Sequence, residues 1–211
     1  MDIIEFQKDL LRTRFNRSKP QWTRHADCIE IEASNGTSCF IDLCDEDLAN
    51  YSWYCQNNYF SRNTSRSHPT FPNVTVYLAP MILERMIGRR LSEGEHCDHI
   101  NWDRLNNRRG NLRLATKAEN AYNTRAYKTS RMSKYKGVDK AVNTYCVRIQ
   151  YSVSIQESGF RDEKVAARRH DELAATYHGK FAVFNFPNEW IYDLREDKYV
   201  RVDIDSNAEA A

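Results

Sequence analysis

No apolar run in this 211-residue sequence approaches the ~20 residues that a membrane-spanning helix needs, so no such helix is expected. The N-terminus lacks the apolar segment of a secretory leader, which points to a soluble, intracellular chain that is not secreted. Six cysteines (Cys28, Cys39, Cys44, Cys55, Cys97 and Cys146) form no Cys-x-x-Cys pair, which leaves the usual cysteine-paired zinc site without support. With no export signal they are read as free thiols rather than disulfides. There is no internal repeat and no low-complexity tract. The length suffices for one compact domain or two small ones, each with a modest core.

Acidic residues are scarce in one stretch. Between Ile100 and Gln150 only Asp103, Glu119 and Asp139 oppose Arg104, Arg108, Arg109, Arg113, Lys117, Arg125, Lys128, Arg131, Lys134, Lys136, Lys140 and Arg148. The net charge of +2 conceals this segregation, because residues 188–211 form an acidic tail. Basic residues interleaved with Tyr122, Tyr127, Tyr135 and Tyr145 suit a polyanion such as DNA; a solvated charged face accounts for the charge equally well. Residues 1–26 are basic and either hold one short helix around Ile3–Leu11 or form a flexible arm that touches phosphates.

The pattern of elements is α+β. Cys28–Glu32 and Ser38–Leu43 alternate around Asn35-Gly36, a hairpin signal. Asp45–Tyr51 reads as a helical turn, Trp53–Arg62 and Val74–Leu78 as further strands, and Pro80–Ile87 as a short helix opened by proline and stopped by Gly88. Glu95–Ile100 and Asn111–Ala115 read as strands around a polar turn. Thr116-Lys117-Ala118-Glu119 then fits a capping box that starts a helix. Residues 126–132 read as a linker. Gly137–Lys140, Tyr145–Gln150 and Ser152–Gly159 read as three short strands, Glu163–His178 as a helix, and Phe181–Pro187 as a last extended piece.

The strand–loop–strand–helix unit over 95–125 holds the residues that phosphodiester cleavage needs. Asp98 is a hard oxygen ligand suited to Mg²⁺. His99 is a general base near neutral pH, so activity should fall on acidification. Asn111 can fix the imidazole by a hydrogen bond, and the side-chain oxygen of Asn120, one turn into the helix, can complete the metal site. Adjacent strand residues point to opposite faces, so Asp98 and His99 share one site only where the strand ends or bulges. His25, His68 and His96 read as bystanders, and His170 and His178 as packing or surface groups.

The run Cys97-Asp98-His99-Ile100-Asn101, then Leu105 through Thr116, then Glu119-Asn120 resembles the signature of HNH homing endonucleases. The resemblance implies a ββα-metal core within a nuclease domain at 27–125, with His99 as general base, Asp98 and Asn120 as ligands of Mg²⁺ (or Mn²⁺), and Asn111 orienting the histidine. It extends upstream through Phe40-Ile41-Asp42, Asp45-Glu46-Asp47 and Tyr51-Ser52-Trp53. One departure is Ala79, where the family often has a histidine. Residues 133–187, with Ser133-Lys134-Tyr135-Lys136-Gly137-Val138 and His178-Gly179-Lys180-Phe181, resemble the DNA-binding domain of plant ethylene-response factors: a three-stranded antiparallel sheet with one packed helix. The two resemblances imply a phage-type or homing endonuclease acting in the cytoplasm of a bacterial or phage-infected cell on double-stranded DNA, as a monomer or homodimer, and leaving 5′-phosphate and 3′-hydroxyl ends. Arg104, Arg108, Arg109, Arg113, Arg125, Lys134, Lys136, Lys140, Tyr145 and Arg148 are the expected DNA contacts. Two alternatives are a degraded HNH scaffold that serves as a DNA-binding regulator, motivated by Ala79, and a nuclease specific for branched DNA.

Overall fold

The computed structural model describes residues 2–12, 19–125 and 133–202. The chain divides into two compact units, residues 1–117 and 118–211. The expected linker 126–132 lies outside the described residues. Among those described, no helix is long and apolar enough to cross a membrane.

The first unit opens with α1 (Ile3–Leu11), whose Gln7, Leu10 and Leu11 are buried. Strands β1 (Gln21–Arg24), β2 (Ile29–Glu32) and β3 (Ser38–Ile41) form an antiparallel sheet in that order. The basic N-terminal stretch is thus not simply an arm, because it supplies a packed helix and an edge strand. Alternation does the work expected of it: Ile29 pairs with Ile41 and Ile31 with Cys39, all four facing the core. Gly36, at φ 79°, makes the turn between β2 and β3. A 3-10 segment over Leu43–Asn50 follows and buries Asp45 completely.

A second sheet runs β4 (Tyr54–Gln56), β5 (Tyr59–Asn63) and β6 (Thr75–Tyr77), with Asn57 and Asn58 both left-handed at the first turn. Helix α2 (Leu78–Ile87) begins two residues before the position expected for Pro80 and ends on Gly88 at φ 70°. Pro80 is still in the first turn, where amides have no intrahelical partner. Strands β7 (Glu95–His99) and β8 (Leu112–Thr116) pair antiparallel, placing Asp98 opposite Arg113 and His99 opposite Leu112. All six cysteines are free thiols.

The second unit takes most of α3 (Lys117–Tyr122), a short helix with no fully buried residue. Strands β9 (Val138–Lys140), β10 (Tyr145–Gln150) and β11 (Ser154–Phe160) form an antiparallel sheet with β10 at the centre. Val138, Val147 and Ile149 on its inner face pack against Ala166, Ala167, Leu173 and Ala174 of α4 (Glu163–Tyr177). Asp162 caps α4 by accepting from the amides of Lys164 and Val165. Gly137, at φ 69°, is required twice over, since a Cβ there would stand 2.1 Å from His170 Cδ2 and 2.7 Å from the Arg148 carbonyl oxygen.

A 3-10 turn over Gly179–Phe181 leads through the extended Ala182 into chain without regular structure. One expectation is corrected here: within the stretch read as an acidic tail, β12 (Trp190–Asp193) and β13 (Lys198–Arg201) form a hairpin. Phe184 explains the folding of this segment, since it stacks on Trp190 at 5.0 Å and meets the edge of Tyr199 at 4.6 Å. Glu189, at the head of the hairpin, is held by Arg168 and Arg201.

Candidate active site

Strand β7 carries Asp98 and His99 into buried positions at its C-terminal end. The adjacent-residue conflict is met by giving each side chain its own partner. Asp98 accepts from Arg113 Nε at 2.8 Å across the ladder, while His99 Nε2 lies 3.0 Å from Asn107 Oδ1. A side-chain amide oxygen only accepts, so the proton rests on His99 Nε2 and the lone pair on Nδ1. Burial lowers the pKa of His99 below the ordinary imidazole value, with the Asn107 bond opposing it. Cys97, beside them, is pushed up to about 12 by burial and stays a thiol.

Asn107 is the residue that sequence reasoning missed. It counted only as part of a turn, yet its side chain holds the imidazole, and its backbone is fixed from outside the motif. Asn107 N donates to the Phe40 carbonyl and Phe40 N to the Leu105 carbonyl, both at 2.8 Å, so β3 braces the loop. Its Nδ2 donates to the Arg104 carbonyl at 3.3 Å, which keeps Oδ1 turned to His99. Asn111 does different work from that expected. Its Oδ1 accepts from Asn101 N at 3.0 Å, and its Nδ2 donates to the carbonyls of Asn106 at 2.7 Å and Asp103 at 3.3 Å. Asn111 ties down the 101–106 loop, and through the loop it supports Asn107; no bond runs from its side chain to the imidazole.

Asn120 lies half-buried on α3, in the second unit. Among the described residues no three His, Cys, Asp or Glu side chains gather as a metal cluster. A magnesium ion needs only one or two protein ligands when phosphate and water supply the rest. The donor chemistry of a buried carboxylate such as Asp98 fits such an ion.

The expected DNA contacts separate into two groups. Arg108 pairs with Asp27 at 2.8 Å and Asp42 at 2.9 Å, and Arg109 grips the buried Asp45 at 2.8 and 2.9 Å. Asp45 also accepts from Arg85, which pairs in addition with Asp47. These two arginines brace the loop against the acidic turn, and Arg113 is held by Asp98. The opposite charges of Asp42 and Asp45 were the available signal. Lys136 donates to the Tyr122 carbonyl, away from the sheet's outer face. Tyr145 packs toward the core of the second unit. Arg104 is exposed with its guanidinium 4.4 Å over Tyr59, and Arg125, Lys134, Lys140 and Arg148 are exposed as well. On the outer face of β10 and β11, Arg148 stands with Gln150 and Gln156, and it pairs with Asp139 at 3.0 Å.

Residues 80–122 match the family model described as HNH endonuclease. Over 158 residues, 71% of this chain and 75% of the relative, the sequence is 28% identical to a protein of Acanthamoeba polyphaga mimivirus named as an uncharacterized HNH endonuclease. No solved structure matches significantly. The segment that matches the HNH endonuclease family model carries Asp98, His99, Asn107, Asn111 and Asn120.

Proposed function

We propose that this chain is a metal-dependent DNA endonuclease of the homing or phage type, with a ββα-metal core. The observation that carries the reading is the buried His99, its Nε2 3.0 Å from Asn107 Oδ1, next to the buried carboxylate of Asp98. His99 Nδ1 takes a proton from water, and the hydroxide so formed attacks the phosphorus. The bond from phosphorus to the 3′ oxygen breaks, and that oxygen takes a proton from solvent water, leaving 5′-phosphate and 3′-hydroxyl ends. Asp98 and Asn120 would hold a divalent ion, most simply Mg²⁺, which when bound supplies the positive charge that the phosphate and leaving oxygen require. Asn111 positions the loop that positions the base.

Residues 133–187 resemble an ethylene-response-factor domain, and their sheet backed by one helix supports the proposal that they add affinity for double-stranded DNA. Arg148 on the outer face of that sheet, with Lys134, Lys140, Arg125 and Arg104, is the proposed set of phosphate contacts. One active site cuts one strand, so a double-strand break would take a homodimer or two events.

A plasmid-nicking assay with and without Mg²⁺ or Mn²⁺ tests the reading. Metal-dependent nicking that His99→Ala removes supports it. The second reading, a DNA-binding regulator on an HNH scaffold, is favoured by Ala79, whose buried methyl group in α2 offers no polar atom where the family often has a histidine. DNA binding with no cleavage of any substrate at enzyme excess would select that alternative.

A further inference from the structure

Helix α3 has only six residues, Lys117–Tyr122, and none is fully buried. Isolated helices shorter than ~12–15 residues are marginal in water, so α3 needs tertiary contacts to persist. A cavity of about 300 Å³ lies against Ala118 and Ala121, with Tyr151 and His170 among the residues on its other walls. Firm contacts lie at the C-terminal end. Tyr122 stacks face to face on His178, with ring centroids 3.9 Å apart and planes 6° from parallel. His178 is itself anchored, its Nε2 lying 2.8 Å from the Gln150 carbonyl oxygen on β10.

The carbonyls at this helix end are also satisfied one by one. Glu119 O accepts from Asn123 N at 3.3 Å, and Ala121 O from Thr124 Oγ1 at 3.1 Å. Tyr122 O accepts from the Lys136 ammonium. A cation at a helix C-terminus meets both the orphan carbonyl and the negative end of the helix dipole. Lys136 is in turn set in place by Asn185, which accepts from its amide at 2.7 Å and donates to its carbonyl at 3.1 Å. Asn185 is fixed by Asp171 on α4. The clamp therefore leads from α3 into the best-packed part of the second unit.

From this arrangement we infer that Lys136 and His178, acting on Tyr122, are positioning residues that keep α3 helical and so hold Asn120 in place on it. The inference rests on the proposed nuclease reading for the role of Asn120, but the clamp itself does not.

Hydrogen–deuterium exchange on the free, metal-free full-length protein tests it. Tyr122→Ala and Lys136→Met should each speed exchange at the amides of Ala121, Tyr122 and Asn123 about tenfold, the weight of a ring stack or a charged cap. Exchange in β10 and β11 should stay unchanged, and Tyr122→Phe, which keeps the stack, should restore protection. In nicking assays at saturating DNA, Tyr122→Ala should lower kcat about tenfold with DNA affinity within twofold of wild type, and Tyr122→Phe should recover it. Unchanged α3 exchange in both Tyr122→Ala and Lys136→Met overturns the clamp. Faster α3 exchange with wild-type kcat overturns the positioning role of Tyr122, Lys136 and His178 in the reaction. If the wild-type protein cuts no DNA, the nuclease reading fails, and the exchange result alone judges the clamp.

Discussion

Replacing Asn107 by alanine removes the acceptor for the buried His99 Nε2 proton and leaves the backbone brace intact, because the Phe40 bond uses the Asn107 amide. An N–H left unsatisfied in a buried site costs about 1–3 kcal/mol. The imidazole recovers part of that by turning away or by shifting its proton to Nδ1, and either change takes the basic lone pair from the position where water would be activated. The expected loss in single-turnover nicking is therefore roughly 5- to 150-fold, from the same 1–3 kcal/mol. DNA affinity should change less than twofold, since Asn107 is buried. Asn111→Ala serves as the contrast. It breaks three bonds to the 101–106 loop, so thermal stability should fall together with the rate. Asn107→Ala nicking within twofold of wild type, with the fold intact, would refute the assignment of Asn107 as the group that orients His99.

Three further predictions concern stability. Arg109→Ala strips the fully buried Asp45 of its two-bond partner and leaves Arg85 at 3.2 Å as its remaining cation, beside a weak bond from the Cys44 thiol, so urea unfolding should show a loss of about 2–4 kcal/mol; the salt dependence of DNA binding should not change, whereas a slope reduced by about one would return Arg109 to the phosphate contacts. Gly137→Ala should destabilise the second unit by at least about 3 kcal/mol, because a left-handed backbone and a 2.1 Å clash with His170 coincide; a midpoint of urea unfolding close to wild type would count against this packing. His178 is lowered to about 4, chiefly by burial. Its unfolded form takes up a proton below about 6.5 while the folded form does not, so stability is full above that pH and is lost as the pH falls toward 4. Partial solvent access reduces the full linkage value to about 2 kcal/mol. The fall in Tm between pH 7 and pH 4.5 should shrink in His178→Gln, and an unchanged fall would show that other groups govern acid unfolding.

How much was legible in the sequence depended on how local the cause was. β2, β3, α4 and the β7–β8 pair rest on alternation, helical spacing and turn residues within a few positions of each other, and the sequence shows them directly. The hairpin over 190–201 escaped because it sits within the net-acidic stretch 188–211, whereas its folding depends on Phe184 meeting Trp190 and Tyr199. Arg108 and Arg109 resembled phosphate contacts because their partners lie far away in sequence, at Asp27, Asp42 and Asp45. Lys136 looked like a sheet-face cation, and only the fold brings the Tyr122 carbonyl to it. The site residues Asp98, His99 and Asn111 were visible as a motif. The division of labour between Asn107 and Asn111 was not, because it depends on which carbonyls of the loop each amide can reach.

The most direct test of the central claim is paired measurement of nicking and DNA affinity for His99→Ala in Mg²⁺. A general base contributes about 10²- to 10⁴-fold. Cleavage should fall by that much while the DNA dissociation constant stays within twofold of wild type. Cleavage that persists, or an equal loss of cleavage and binding, would contradict the assignment of His99 as the base of an HNH endonuclease.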